Sequence, residues 1–169
     1  MKKLLRPNLY VDSIFDIDLH KLWSAGYDSI IVDIDNTLVA WDKKEASDFV
    51  VDWFERIKKI GFNVCLVSNN TEDRVVKFNE AVKVCAIHRA TKPRRKPFIK
   101  AMDKMNSSPS KTVVIGDQVF TDILGGNRAG LFTILVVPIS GNEFIWTKFV
   151  RRIERMVLRK IKKGEKNDH

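Results

Sequence analysis

The stretch Ser29-Ile30-Ile31-Val32-Asp33-Ile34-Asp35-Asn36-Thr37 decides the fold. Its apolar first part predicts a buried strand over residues 29–34, and Asp33 and Asp35 come where that strand ends. Side chains two residues apart on a strand point to the same side. Two negative charges held that close together are costly unless a cation or a proton lies between them. The arrangement suits a site that holds Mg²⁺ and directs a carboxylate at a phosphoryl group.

Outward from this stretch, apolar runs alternate with helical patterns. Strands are predicted over residues 29–34, 62–67, 84–88, 112–115 and 133–137, and helices over 19–25, 45–60, 71–79, 98–105 and 121–128. Residues 9–17 are predicted to be an extended or irregular lead-in. Nearly continuous apolar strands with helices between them indicate an α/β fold with a parallel sheet covered on both faces.

Polar residues follow four of the predicted strands at the point where each strand ends. In sheets of this kind the ligand site lies beyond the carboxyl ends of the strands. The residues concerned are Asp33 and Asp35, then Ser68, Asn69 and Asn70, then Thr91 and Lys92, then Gly116, Asp117 and Gln118, with Asp122 one helical turn later. Four strands therefore bring acids, a hydroxyl and an amine to one edge, and this convergence is more specific than any single motif.

Length and composition describe one globular domain of 169 residues. No run approaches the roughly 18 apolar residues that span a bilayer, and the basic start is not followed by the apolar segment of a signal peptide. A cytoplasmic location is therefore expected. Cys65 and Cys85 lie in apolar strand-like runs and are predicted to be buried free thiols, while His20, His88 and His169 have no metal-ligand spacing.

The formal net charge of +9 favours an anionic partner, which would be a membrane surface, a nucleic acid or a phosphorylated substrate. Much of the excess lies in residues 144–169, where nine lysines and arginines face three acids. The partner is therefore expected to meet the C-terminal part of the chain.

The motifs resemble those of a known family. Asp33-x-Asp35-x-Thr37, Ser68, Lys92, and Gly116-Asp117 with Asp122 are similar, in this order, to the four motifs of the haloacid dehalogenase (HAD) superfamily. The details Asp35-Asn36-Thr37-Leu38, Ser68-Asn69-Asn70 and Lys92-Pro93 resemble more closely the subfamily IIIA phosphatases of the YqeG type, which are related to the phosphatidylglycerophosphate phosphatases of cardiolipin synthesis. The resemblance covers residues 29–137 and implies a Rossmann-like fold.

The resemblance also implies a role for each catalytic residue. Asp33 would be the nucleophile that forms an aspartyl-phosphate. Asp35 would protonate the leaving oxygen and then deprotonate the hydrolytic water. Ser68 would donate a hydrogen bond to the phosphoryl group, and Lys92 would offset the charge on nucleophile and phosphoryl group.

The implied cofactor is Mg²⁺, which prefers oxygen ligands. Its ligands would be Asp33, the backbone carbonyl of Asp35, and Asp117, with Asp122 acting directly or through water. Residue by residue, other interpretations stay open. Asp33 and Asp35 can be loop-capping acids, Ser68 a turn residue and Asp122 a helix cap, and a neighbour of Lys92 can be the motif lysine.

Further residues are assigned to substrate binding. Thr37 is expected to orient its loop, and Asn69 to lie beside the substrate. Arg94, Arg95 and Lys96 follow the motif lysine, and they would bind a second phosphate of the substrate or would simply form a solvated loop.

The spacing of the motifs leaves no room for a cap domain. Only 32 residues separate Asp35 from Ser68, and 23 separate Ser68 from Lys92. The chain is therefore predicted to be capless, with an open site that suits a large or surface-bound substrate such as a phospholipid, a protein or a nucleic acid.

The chain is divided into a catalytic domain over residues 1–140, including the lead-in, and a basic amphipathic helix with a disordered tail over residues 141–169. The apolar stripe of that helix comprises Ile145, Trp146, Phe149, Val150, Ile153, Met156 and Val157, and its basic flank comprises Lys148, Arg151, Arg155 and Arg159. This pattern suits a helix at an anionic membrane surface. It equally suits a last helix packed on the sheet with solvated charges.

These inferences together predict a Mg²⁺-dependent phosphatase that acts through phospho-Asp33. The expected reaction converts phosphatidylglycerophosphate to phosphatidylglycerol at the cytoplasmic face of the membrane. One alternative is a phosphatase of nucleic-acid or protein phosphates, although no RNA-binding aromatic motif is visible. The other is a non-catalytic basic module that binds RNA or membrane on the same scaffold.

Overall fold

The computed structural model of the protein describes residues 2–139 and Arg155. Its frame is a single sheet of six parallel strands. The strands are β1 (Leu9–Val11), β2 (Ser29–Val32), β3 (Asn63–Val67), β4 (Cys85–Ile87), β5 (Thr112–Gly116) and β6 (Phe132–Val136). They lie in the order β1-β6-β5-β2-β3-β4.

Helices connect the strands. The α-helices are α1 (Leu19–Ser24), α2 (Asp48–Ile60), α3 (Glu72–Val82), α4 (Lys96–Lys104) and α5 (Leu124–Arg128), and a π-helix (Val119–Ile123) runs directly into α5. Short 3₁₀ helices cover Lys2–Leu5, Ile14–Asp16 and Pro109–Lys111. Asp18 caps α1, because its carboxylate accepts a hydrogen bond from the backbone N–H of Lys21 at 2.9 Å.

The central strand is β2, whose four residues are all buried. It pairs with β3 on one side and β5 on the other, and Ile30 stands opposite both Val64 and Val113. The chain builds β3 and β4 on one side of β2 and then crosses to build β5 and β6 on the other. This reversal of direction opens a crevice at the carboxyl ends of the strands, where open α/β sheets bind their ligands.

The sheet separates two apolar layers, and β2 supplies both by simple alternation. Ile30 and Val32 belong to the layer under α1, α2 and α3, which also contains Trp53 and Phe78. Ile31 faces the opposite way, into the layer under α4, with residues such as Val67, Phe98 and Met102. The predicted α/β fold with a parallel sheet covered on both faces is confirmed.

The structure differs from the sequence prediction in two elements. Part of the lead-in is a strand, since Leu9–Val11 pairs with β6 at the edge of the sheet. The spacing of the apolar residues in the predicted helix 45–60 places Phe49 on the buried face with Val50, Trp53 and Phe54, but Phe49 is 77% exposed, so this prediction is wrong. The helix begins at Asp48 and is capped by Ser47, and Phe49 therefore lies in the first turn, at the margin of the buried face.

The two cysteines lie side by side in the sheet as free thiols, and Cys65 is buried as predicted, whereas Cys85 is only partly buried. Cys65 on β3 is paired in register with Cys85 on β4, and their sulfur atoms are 2.8 Å apart. Burial raises the pKa of the Cys65 thiol, and the neighbouring Cys85 raises it further. Cys65 is therefore a packing residue rather than a nucleophile.

Some predictions concern the C-terminal part of the chain. The amphipathic helix and tail assigned to residues 141–169 lie outside the described residues, and both that assignment and the domain boundary stay predictions. Within residues 2–139, no helix is long and apolar enough to cross a membrane.

The packing of α2 can be tested with two phenylalanines of the same helix. Phe54→Ala should lower the free energy of unfolding by about 3–5 kcal/mol, because it empties a fully buried site. Phe49→Ala should change it by less than about 0.5 kcal/mol, because that ring is exposed. Urea unfolding followed by circular dichroism measures both, and equal losses would contradict the described orientation of α2.

Candidate active site

A polar cavity of about 320 Å³ opens at the carboxyl ends of the central strands. The residues around it come from the segments that follow β2, β3, β4 and β5, as the topology predicts. They are Asp33, Asp35, Ser68, Asn69, Asn70, Lys92, Gln118 and Thr121. The structure therefore brings together most of the residues that the sequence assigned to the site.

A buried ion cluster forms the floor of this region. The Lys92 ammonium Nζ lies 2.9 Å from Asp33 Oδ1 and 2.6 Å from Asp122 Oδ1. The second oxygen of Asp122 accepts a hydrogen bond from the backbone N–H of Gln118 at 3.2 Å. Asp122 is therefore more than a helix cap, since it joins the loop after β5 to the lysine that follows β4.

The pKa values in the cluster reflect burial first and charge second. Burial raises the pKa of Asp33, and the charges of Asp122 and Asp117 raise it further against the opposing effect of Lys92. Burial alone would lower the pKa of Lys92, but the charges and hydrogen bonds of Asp122 and Asp33 outweigh it and raise that pKa. One ammonium thus contacts two of the three clustered carboxyl groups, so the cluster has more acidic groups than positive charges.

This deficit and the donor set suit a divalent cation. Asp33, Asp117 and Asp122 are all buried, and each offers a carboxylate oxygen within 4.8 Å of the others. Thr37 Oγ1 donates a hydrogen bond to Asp117 Oδ1 at 3.1 Å, so the predicted loop-orienting threonine orients a cluster acid as well. Hard oxygen donors around uncompensated negative charge are what Mg²⁺ and similar ions bind.

Local backbone structure explains how these side chains reach the cluster. Gly116 ends β5 next to Asp122, and a Cβ atom at that position would overlap the Asp122 side chain. After Asp35 the chain turns back at Asn36, whose φ of 60° lies in the left-handed region that asparagine tolerates. The N–H groups of Thr37 and Leu38 then both donate to the carbonyl of Ile34.

Asp35 is held away from the ion cluster by different partners. Its Oδ2 accepts a hydrogen bond from the Asn70 side chain at 3.1 Å. Its Oδ1 accepts two from Arg74, from Nε at 3.2 Å and from Nη2 at 2.9 Å. The carboxylate of Asp35 is therefore not part of the three-acid cluster. Its predicted metal ligand is the backbone carbonyl, and that assignment stays a prediction.

Ser68 and Asn69 frame the other side of the cavity. Ser68 is buried, and its hydroxyl accepts a hydrogen bond from the backbone N–H of Asn70 at 3.1 Å. Asn69 binds the backbone of Lys92 twice: its amide donates to the Lys92 carbonyl at 3.2 Å, and its carbonyl accepts from the Lys92 N–H at 2.7 Å. The segment after β3 therefore holds the lysine in place.

The predicted second phosphate site lies outside the cavity. Arg94, Arg95 and Lys96 are exposed at the start of α4, and they are not among the residues that line the 320 Å³ cavity. Their role in substrate binding stays a prediction. Arg74 was not predicted at all, because a single arginine on a helix carries no signal of a partner 39 residues away.

An apolar groove of about 680 Å³ lies beside the polar site. The loop after Asp35 separates the two, since Thr37 contacts the acid cluster and also lines the groove. The apolar part of the lining comprises Ile14, Phe15, Leu38, Val39, Ala40, Ala46, Phe49, Val50 and Ile139. The exposed side chains of Lys43 and Lys44 also line it.

Comparison with known proteins places this geometry in a family. Residues 89–138 match a family model described as HAD-hydrolase-like. The chain is 43% identical over 163 residues to probable phosphatase YqeG of Bacillus subtilis, covering 96% of this chain and 95% of that protein. It is 30% identical to phosphatidylglycerophosphate phosphatase 1, chloroplastic/mitochondrial, of Arabidopsis thaliana, covering 98% of this chain and 51% of that protein.

Solved structures share the fold at low sequence identity. The cobalt-bound deoxy-D-mannose-octulosonate 8-phosphate phosphatase of Haemophilus influenzae superposes with a TM-score of 0.57 at 14% identity, covering 88% of this chain and 96% of that one. A subfamily III A HAD hydrolase from Legionella pneumophila gives 0.54 at 17% identity, covering 71% and 70%.

Cation binding by the three-acid cluster can be measured without any substrate. Mg²⁺ should raise the unfolding temperature, because a ligand that binds only the folded state stabilises that state. At a Mg²⁺ concentration 100 times the Kd, the gain in the free energy of unfolding is about 2.7 kcal/mol. Asp117→Asn should remove most of that shift, whereas Asp103→Asn, an exposed acid on α4, should not. Thermal denaturation with and without Mg²⁺ measures the shifts, and an unchanged shift in Asp117→Asn would argue against binding at the cluster.

Proposed function

The chain belongs to the HAD superfamily, among the phosphatases of the YqeG type, and on this basis we propose that it hydrolyses phosphatidylglycerophosphate through an aspartyl-phosphate on Asp33 with Mg²⁺ as cofactor. The observation that carries the proposal is the contact of Asp33 with Lys92 in a cluster of three buried acids. A nucleophilic carboxylate, a fixed ammonium and further oxygen ligands are the groups that phosphoryl transfer requires.

The first step forms the covalent intermediate. A carboxylate oxygen of Asp33 attacks phosphorus, the bond from phosphorus to the ester oxygen breaks, and Asp35 gives its proton to that oxygen. Lys92 lies 2.9 Å from the nucleophile and offsets negative charge as it passes to the phosphoryl oxygens. The Ser68 hydroxyl, which lines the cavity, donates a hydrogen bond to one of them.

The second step releases inorganic phosphate. Water attacks the phosphorus of phospho-Asp33 while Asp35 accepts a proton from it, and the bond from phosphorus to the Asp33 oxygen breaks. Both carboxylates are then back in their starting states. Asp33, Asp117, the Asp35 carbonyl and Asp122 would hold Mg²⁺, which when bound stabilises negative charge on the phosphoryl oxygens.

The open site supports a large substrate. Between β2 and β3 the chain forms α2, and between β3 and the loop after β4 it forms α3, so residues 33–92 contain no cap domain. A small metabolite would remain largely exposed to water in such a site. A lipid or another macromolecular phosphate brings its own surface to cover it.

The apolar groove favours a lipid among these substrates. It adjoins the acid cluster through Thr37, and its apolar lining suits acyl chains or the outer part of a bilayer. Exposed Phe15, Phe49 and Ile139 extend the apolar surface around it. Lys43 and Lys44 would meet the anionic head groups. The name of the Arabidopsis relative, a phosphatidylglycerophosphate phosphatase, agrees with this choice.

Membrane attachment completes the proposal. We expect the basic C-terminal segment, residues 141–169, to bind the anionic cytoplasmic face of the membrane, and Arg94, Arg95 and Lys96 to bind a second phosphate of the substrate. Nucleic-acid and protein phosphates remain the competing substrates, because an open site on a protein with a net charge of +9 suits them too.

The chemistry and the substrate are tested together by phosphate release from phosphatidylglycerophosphate in anionic vesicles with Mg²⁺. Wild type should release phosphate, and Asp33→Asn should lose turnover by at least about 10³-fold, since without the nucleophile no covalent intermediate forms. Circular dichroism checks that the variant is folded. Activity retained in Asp33→Asn would refute the mechanism.

The same assay distinguishes the competing functions. Turnover of a soluble aryl phosphate without release from the lipid would keep the mechanism and direct the search to nucleic-acid or protein phosphates. No Mg²⁺-dependent turnover of any phosphate ester would favour a non-catalytic binding module.

The groove is tested by its most exposed aromatic side chain. Phe49→Ser should raise KM for phosphatidylglycerophosphate vesicles several-fold and leave kcat/KM for a soluble aryl phosphate unchanged, because that ring contacts lipid and not the reacting atoms. Val76→Ser, at an exposed apolar residue on α3, is the matched control and should change neither value. An equal change in KM for Phe49→Ser and Val76→Ser would contradict a specific lipid contact at the groove.

A further inference from the structure

We propose that Arg74 is the positioning residue of the general acid–base, and that it determines which oxygen of Asp35 carries the transferred proton. The proposal rests on the phosphatase mechanism above and adds a residue that lies outside the four motifs. The observation behind it is that the Arg74 guanidinium contacts both Asp35 and the backbone of Lys44.

Arg74 occupies the first turn of α3, and its side chain is only 10% exposed. Nε and Nη2 both donate to Asp35 Oδ1, at 3.2 and 2.9 Å. Nη1 donates to the backbone carbonyl of Lys44 at 2.9 Å. The guanidinium is therefore fixed at its far end by the β2–α2 loop, and it fixes Asp35 in turn.

The distribution of hydrogen bonds makes the two oxygens of Asp35 unequal. A carboxylate oxygen offers about two acceptor sites. Both sites of Oδ1 are taken by Arg74, whereas among the described residues the Asn70 amide, at 3.1 Å, is the one donor to Oδ2. Within this part of the chain one site on Oδ2 remains, and a proton carried by Asp35 would sit there. Since Asp35 lines the 320 Å³ cavity, this proton is available to the ester oxygen of a bound substrate.

Arginine suits this task better than lysine. Its planar guanidinium presents several donors in a rigid arrangement, whereas a lysine ammonium is a point charge on a flexible chain. Lysine at position 74 would keep the charge near Asp35 but would not hold Oδ1 and the Lys44 carbonyl together. Arg74→Lys should therefore recover only part of the function, and this partial recovery separates geometry from charge.

The role of the proton decides the test. When Asp33 attacks phosphorus, an alkoxide leaving group needs the proton of Asp35, whereas p-nitrophenolate leaves readily without it. A variant that disorients Asp35 should therefore lose activity on an alkyl phosphate far more than on p-nitrophenyl phosphate. A merely structural role would lower both activities together.

The experiment compares kcat/KM on n-hexyl phosphate and p-nitrophenyl phosphate with Mg²⁺ for the full chain, because kcat/KM reports the steps up to phospho-Asp33 and not its later hydrolysis, in which Asp35 serves both esters alike. Arg74→Met should reduce kcat/KM on the alkyl ester about 10²-fold, within the range of general acid catalysis, and on the aryl ester less than about threefold. Arg74→Lys should fall between wild type and Arg74→Met. Arg56→Met, on the exposed face of α2, is the matched control and should change neither.

A double variant completes the test. Asp35→Asn should show the same dependence on the leaving group, and adding Arg74→Met to it should cause no further loss on either ester. Equal losses on both esters in Arg74→Met and Arg74→Lys, or additive losses in the double variant, would overturn the role of Arg74 alone. Wild type inactive on both esters and on phosphatidylglycerophosphate vesicles would instead overturn the proposed function and this inference with it.

Discussion

The buried contact of Lys92 with Asp33 and Asp122 is the constraint on which the rest of the structure depends. These three side chains come from the ends of three different strands or loops, and each is almost completely buried. Removing one partner of such a group leaves an uncompensated buried charge and costs about 3–5 kcal/mol. The loops that carry these three side chains must therefore keep their relative positions accurately enough for the hydrogen bonds among them to form.

Several features of the sequence serve this contact. Gly116 leaves space for the Asp122 side chain. The Asn69 side chain hydrogen-bonds to both the backbone N–H and the backbone carbonyl of Lys92. Thr37 ties Asp117 to the loop after β2. Residues outside the ion cluster thus fix the positions of the residues within it. The cluster keeps an excess of acidic groups, which a bound cation can compensate.

Much of this arrangement could be predicted from the sequence, because parallel strands bring their carboxyl ends to one edge. Asp33, Ser68, Lys92 and Asp117 follow strands whose apolar runs are unmistakable, so their convergence follows from topology alone. Contacts that depend on side-chain direction could not be predicted. Arg74 meets Asp35 only because α3 starts beside the loop after β2, and no local pattern reports that approach.

The remaining differences have similar causes. Strand β1 is three residues long and two of its side chains are exposed, so its pattern carries no period. Its pairing with β6 is supported by the preceding Asn8, whose side-chain oxygen accepts a hydrogen bond from the Thr133 backbone N–H at 2.8 Å. Phe49 has the spacing of the buried residues but lies at the margin of the buried face of α2. A small rotation of the helix there decides whether the ring enters the core or lines the groove. Its exposure contributes the apolar surface next to the site.

Two acids two residues apart pose an electrostatic problem, which a cation or a proton between them would relieve. In the structure Asp33 is paired with Lys92, while Asp35 accepts hydrogen bonds from Arg74 and Asn70. Each carboxylate has its own positive partner in its own surroundings. The buried one, beside two further acids, is suited to act as the nucleophile near a metal ion. The other has one acceptor site left at the cavity among the described residues, so one short loop supplies two carboxylates in different surroundings, which suits different chemical roles.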